Sequence, residues 1–145
     1  MREQPVIVVA GSNGCSAAVR FGLAFPHLVE KLLLAWPATA GDSAADFRTS
    51  GGLAAFGASD QIICSLLDGH TLRGVTDGEL ATLVMQIGVL ASVPENPFHQ
   101  RHTVDLLLRL LSGSEELPGS PEPPSPGFAV YLDRLLDAVT EFACR

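Results

Sequence analysis

The first strong pattern along the chain is a run of apolar, mostly β-branched positions without alternation, "PVIVVA", Pro5 to Ala10. An unbroken apolar stretch this short predicts a strand buried on both faces. Small, turn-forming residues follow at Gly11-Ser12-Asn13-Gly14, and helical spacing then runs from Asn13 to about Phe25, where Pro26 closes it. "VEKLLLAWP", Val29 to Pro37, predicts a second buried strand. A strand, a helix and a strand in this space form a βαβ unit, with parallel strands and a right-handed crossover.

From about Thr39 to Met85 the pattern changes to glycine pairs, small residues and short amphipathic runs, which predict three short helices and no further sheet. Ser59 with Asp60 opens one of them. Another is marked by Thr76-Asp77-Gly78-Glu79, a capping box in which Thr76 accepts from the backbone and Glu79 reaches back. This segment reads as a helical insertion across the top of the sheet. "QIGVLAS", Gln86 to Ser92, returns to strand. "VPENP" is a loop, with Asn96 as helix N-cap and Pro97 at the first helical position. The helix predicted there runs through "FHQRHTVDLLLRLLSG", with Val104, Leu107, Leu108 and Leu111 on one face. "SEELPG" is a short last strand, and the five prolines between Pro118 and Gly127 argue against regular structure. A final amphipathic helix, "FAVYLDRLLDAVTEFA", ends the pattern. The organisation is thus a single domain in three parts: strand–helix–strand over 1–38, the helical cap over 39–85, and strand–helix units over 86–145.

Composition narrows the functions. The 145 residues are 47% hydrophobic and 17% charged, as in a globular chain. A net charge of −7 with no basic patch speaks against nucleic acid as a partner. No apolar run is long enough to span a membrane, and the N-terminus reads as a strand rather than a signal peptide. Cys15, Cys64 and Cys144 are scattered and lack CxxC spacing, and His27, His70, His99 and His102 fall into no zinc pattern. Reduced thiols, no metal, no cofactor and a cytoplasmic location are the expectation. Cys15 reads as a buried helix residue. His99 and His102, three apart on one predicted helix, read as surface residues.

The corner at residues 10–14 carries the chemistry. A serine at a tight strand-to-helix turn, flanked by small residues, holds its hydroxyl exposed in strained backbone. The following helix N-terminus and the Asn13 N–H can then stabilise negative charge on a substrate oxygen. A plain helix-capping serine is the other reading.

"VVAGSNGCSAAVRFGLAFPHLVEKLLLAWPA" resembles the nucleophile elbow, following helix and next strand of α/β-hydrolase fold proteins, with Ala10 where glycine is commoner. The later order is similar too: a helical cap, a strand with an acid-bearing loop, a helix, a Pro-rich turn and a last helix. The resemblance starts at the elbow strand and corresponds to the C-terminal half of that fold. It implies a small parallel sheet flanked by helices, an ester or related acyl substrate, and a Ser–acid–His triad.

On that resemblance Ser12 is the nucleophile. Asn13, with Gly11 and Gly14, forms the oxyanion corner, and Trp36 and Asn96 line the pocket at the C-terminal ends of the strands. Asn96 stands where an aspartate is expected, with Glu95 beside it as the alternative acid. The histidine belongs in "PEPPSPGF", which has none, so His99 and His102 are the remaining candidate bases. The catalytic set therefore reads as incomplete, and little or no esterase turnover is expected. A non-catalytic binding module, or a fragment of a longer hydrolase, is the competing reading. The family's strands before the elbow, and the loop among them that supplies a second oxyanion donor, have no counterpart before Pro5. The free edge of the first strand is then expected to make the chain self-associate, for example as a homodimer.

Overall fold

The computed structural model describes residues 4–145. Four strands, β1 (Val6–Gly11), β2 (Val29–Ala35), β3 (Gln86–Ser92) and β4 (Ser114–Ser120), form one sheet in the order β1-β2-β3-β4, and every pairing is parallel. Helices α1 (Gly14–Ala24) and α5 (Arg101–Leu110) lie on one face, and α6 (Phe128–Cys144) lies on the other. Between β2 and β3 come α2 (Ser43–Ala55), α3 (Asp60–Leu67) and the single turn α4 (Asp77–Leu80).

The pleat divides the apolar runs between two cores. Leu32 and Leu34 of β2, with Ile87, Val89 and Ala91 of β3, pack against Val19 of α1, Val104 and Leu107 of α5, and Leu111 just beyond its end. The intervening residues Leu33, Ala35 and Leu90 face Leu117 and Phe142. Leu32, Leu33 and Leu34 have no exposed surface, and full burial of such side chains contributes about 1.5–3 kcal/mol each. Gly88 lets α6 approach the sheet, because a Cβ there would lie 2.8 Å from Leu117 Cδ1 and 3.0 Å from Phe142 Cε2. Lys31, buried on the same side, donates to the carbonyls of Phe142 and Ala143 at 3.1 and 3.3 Å and so caps the end of α6.

Three sequence expectations change. β1 is not buried on both faces: Val8 and Ala10 pack on the first core, but Val6 and Val9 are about half exposed. An apolar run shows that both faces can be buried, whereas sheet order decides whether they are, and β1 is an edge strand. Next, α5 begins at Arg101 rather than after Asn96. Asn96 and His99 close a tight turn through reciprocal backbone bonds of 3.4 and 3.1 Å, and the Glu95 carboxylate accepts from the Arg101 N–H at 2.7 Å. Glu95 therefore takes over the role of satisfying the first turn. Finally, β4 runs through Pro118 to Ser120 into the segment read as irregular. An edge strand tolerates proline because one side of its backbone has no ladder partner.

The cap is tied to the sheet by few but specific bonds. The Thr76–Glu79 capping box forms as expected. Arg20 of α1 pairs with Glu79 at 2.5 Å and donates from Nε to the Gly74 carbonyl at 2.9 Å. Gly69, at φ +110°, lets the chain fold back at 68–75, since a Cβ there would meet the Val75 carbonyl at 2.6 Å. That fold-back sets the position of Arg73.

Candidate functional site

β1 ends at Gly11 and α1 begins at Gly14, so the chain must reverse direction within two residues. Ser12 makes the turn at φ 54°, a left-handed conformation unfavourable for a residue with a Cβ. Its N–H donates to the Ala35 carbonyl at 3.0 Å, which fixes the corner to β2. Gly11 lies close to the indole of Trp36: a Cβ there would sit 3.3 Å from Cε3, a tight contact that the ring would have to yield to by a few tenths of an ångström. At Gly14 an added Cβ meets only Ala10 at ordinary contact distance, so smallness there is not a steric necessity.

Ser12 faces His99. The Ser12 Oγ and His99 Nε2 are 2.8 Å apart, and the other ring nitrogen, Nδ1, is 2.7 Å from Oε2 of Glu122. A carboxylate only accepts, so Nδ1 carries the ring proton of the neutral imidazole and Nε2 is left as an acceptor for the serine hydroxyl. The Asn96 amide donates to the second oxygen of Glu122, and Asn96 Oδ1 accepts from the Phe98 N–H at 3.0 Å. Asn96 thus braces both the histidine turn and the carboxylate.

Thr39, fully buried just beyond β2, holds this turn in place. Its N–H donates to the Phe98 carbonyl at 2.8 Å, and its hydroxyl accepts from the Gln100 N–H at 2.9 Å and meets Thr103 Oγ1 at 3.0 Å. Gln100 in turn donates to Asp42, the N-cap of α2, at 3.0 Å. The N–H of Ala45 and then the Gln100 amide hold the Asp42 carboxyl below its usual range. His99 is only 8% exposed as a result, contrary to its expected surface position on a helix.

The other sequence candidates lie elsewhere. Glu95 makes no hydrogen-bonding contact with either histidine and serves α5 instead. His102 sits on the exposed side of α5, away from Ser12. Trp36 is buried on the α6 side of the sheet, where its indole donates to the Ser120 carbonyl at 2.8 Å and its ring meets Phe128 edge-on at 6.3 Å. Cys15 lies fully buried behind the corner, and burial pushes its thiol up to about 12. Among the described residues no group of histidine, cysteine and carboxylate side chains is arranged to hold a metal ion, and no helix is long and apolar enough to cross a membrane.

Ser12, His99 and Glu122 open onto a cavity of about 580 Å³ that is also lined by Arg48, Arg73 and Phe98. Glu122 escaped the sequence reading. The signal was its place in "PEPPSPGF", the loop where a histidine was sought, while a histidine stood in the loop where an acid was sought.

No protein-family profile and no curated protein matches the chain. Solved structures do. The Rv0554 protein of Mycobacterium tuberculosis superposes with a TM-score of 0.70 at 11% identity, over 97% of this chain and 66% of that one. An esterase from Exiguobacterium antarcticum gives 0.68 at 12% identity, over 98% and 68%. An alpha/beta hydrolase enzyme from a lagoon-sediment metagenome of Mar Chica, Morocco, gives 0.66 at 12% identity, over 99% and 64%.

The fold is that of the α/β-hydrolases.

This chain spans about two thirds of the length of the structures it matches. Within the α/β-hydrolase fold the triad order is nucleophile, acid, histidine along the chain. Here the loop after β3 carries His99, which meets Ser12, and the loop after β4 carries Glu122, which meets His99, so histidine and carboxylate occur in the reverse order.

Proposed function

We propose that the protein is a serine hydrolase acting on an ester or related acyl substrate, with Ser12 as nucleophile, His99 as base and Glu122 as the acid that orients it. The observation that carries this reading is the continuous Ser12–His99–Glu122 chain, at 2.8 and 2.7 Å, opening on a cavity at the C-terminal edge of the sheet. The expectation of an inert protein rested on the missing histidine of "PEPPSPGF", and His99 fills that role from another loop.

In the forward step Ser12 Oγ attacks the acyl carbon while its proton passes to His99 Nε2. The oxygen of the tetrahedral intermediate takes the negative charge beside the Asn13 N–H, one of the N–H groups that a helix start leaves without an internal partner. Collapse breaks the bond to the alcohol, which leaves with the proton from His99. Water then attacks the acyl-serine, giving its proton to His99, and as the second tetrahedral intermediate collapses to the acid product the Ser12 oxygen leaves with that proton from His99. Glu122 keeps the proton on Nδ1 throughout and balances the imidazolium as it forms.

A fluorophosphonate probe and a 4-nitrophenyl acetate assay test this reading. Labelling of one site per chain is expected, lost in Ser12→Ala together with turnover. Absence of both labelling and turnover from the folded chain overturns the assignment and favours the binding-module reading.

The same chain is proposed to self-associate through β1. Its outer edge is unpaired among the described residues, and Val6, Ile7 and Val9 expose apolar surface beside it. Size exclusion with light scattering should show a dimer that weakens with dilution, and Val9→Lys should shift it toward monomer. A monomeric peak at every concentration contradicts this pairing.

A further inference from the structure

We infer that the acyl group accepted by this site ends in a carboxylate, which is bound by Arg73 and Ser16 in an alcove beside the nucleophile; this rests on the serine-hydrolase reading above. Beyond Asn13 the main cavity adjoins a second space of about 100 Å³ between α1, α2 and α3, lined by Ser16, Leu53, Leu66, Leu67 and Arg73. The size admits a short chain rather than a bulky group. The leucines suit methylene groups, and the polar residues that also line the space, Asn13, Ser16, Thr49 and Arg73, suit a polar end.

Arg73 is the key group. Its side chain is 4% exposed, yet among the described residues it makes only one ion pair, at 3.2 Å to Asp46, and one contact of 3.3 Å with the Asn13 side chain. The guanidinium has five N–H donors, so most of its capacity is unused, and its buried Nε has no partner among the described residues. The Ser16 hydroxyl is also buried without a partner among the described residues. Burying a cation and leaving donors unmet is costly, and a purely structural brace has no reason to leave Nε free. Both unsatisfied groups belong to residues lining the one alcove. A carboxylate accepts from a guanidinium and a hydroxyl together.

In a chain of net charge −7, two cations, Arg48 and Arg73, line the main cavity, and the carboxylate there, Glu122, is already engaged by His99 and Asn96. Arg48 lies over the ring of Phe98, another residue lining that cavity, at 5.2 Å. Asp46 offsets Arg73 and Glu122 keeps its own charge, so the preference for a carboxylate rests on the donors that Arg73 leaves unmet rather than on a net positive field.

The test measures binding apart from chemistry. Ser12→Ala is titrated with monomethyl succinate and with methyl 4-methylpentanoate, in which an isopropyl group replaces the carboxylate at nearly equal size. The succinate is expected to bind at least about tenfold more tightly, with the preference lost in Ser12→Ala/Arg73→Gln. Because Arg73→Gln also breaks the contact with Asp46, Ser12→Ala/Ser16→Leu supplies a second variant, which fills the alcove without touching that pair and should also abolish the preference. Equal binding of the two esters, or a preference that survives in either folded double variant, overturns the inference. In the unmodified protein, 4-nitrophenyl monosuccinate should exceed the 4-methylpentanoate ester in kcat/KM by a similar factor. A succinate preference in binding with neither fluorophosphonate labelling of Ser12 nor ester turnover upholds the anion site and overturns the hydrolase reading alone.

Discussion

His99→Ala is expected to lower kcat for a 4-nitrophenyl ester by about 10,000-fold or more, while His102→Ala changes it by no more than a few-fold. A positioned general base typically contributes about 100- to 10,000-fold, and the loss grows where nucleophile and base act as a unit. His99 lies within hydrogen-bonding distance of Ser12 and is held in place by the turn that Thr39 anchors; His102 is solvent-exposed on α5. The rate of fluorophosphonate labelling should fall with kcat, which separates loss of nucleophile activation from loss of substrate binding. Circular dichroism of His99→Ala must match that of the parent. Equal effects of the two substitutions, in folded proteins, contradict the role given to His99.

Glu122→Gln should reduce kcat by about 10,000-fold with little change in KM, the scale seen when the acid of a Ser–His–Asp triad becomes an amide. The neighbouring amide explains why the loss should be so large. Asn96 donates to one oxygen of Glu122, so the glutamine would turn its carbonyl toward Asn96 and its NH2 toward His99. That NH2 is a donor and would face Nδ1 as an acceptor, moving the ring proton to Nε2, where it can no longer take the serine proton. Asn96→Ala should free the glutamine to rotate and recover part of the loss in the double variant, a non-additivity that a purely structural defect would not produce. Glu95→Gln should leave turnover within a few-fold, because Glu95 serves the first turn of α5. A larger loss from Glu95→Gln than from Glu122→Gln contradicts the assignment of the acid.

The elements themselves were legible because they depend on neighbours in sequence. Apolar runs and their turn signals located β1, β2 and β3 closely, and Ser59 and the Thr76–Glu79 box marked the starts of α3 and α4. The corner at Ser12 was legible for the same reason: two adjoining periodicities and the small residues between them force a tight reversal. The start of α5 was misplaced because Asn96-Pro97 satisfies the local rules for a helix start, and nothing local shows that Asn96 bonds instead to a loop 26 residues away.

By itself the sequence determined the parallel α/β layering, the corner serine and the helical insertion, each written in patterns spanning some 5–20 residues. Only the tertiary structure decided which histidine and which carboxylate meet that serine. The Ser12–His99 contact spans 87 residues, and Glu122 comes from a third loop. Those pairings arise because the parallel sheet brings the ends of β1, β3 and β4 to the same edge, and loops leaving the same edge can exchange roles. The positions of Trp36 and Arg73 were decided in the same way. Trp36 passes to the α6 side of the sheet, and a fold-back around Gly69 sets Arg73 beside the nucleophile. Hydrophobic periodicity specifies which face of an element is buried, but what lies opposite that face depends on the packing of all the elements together.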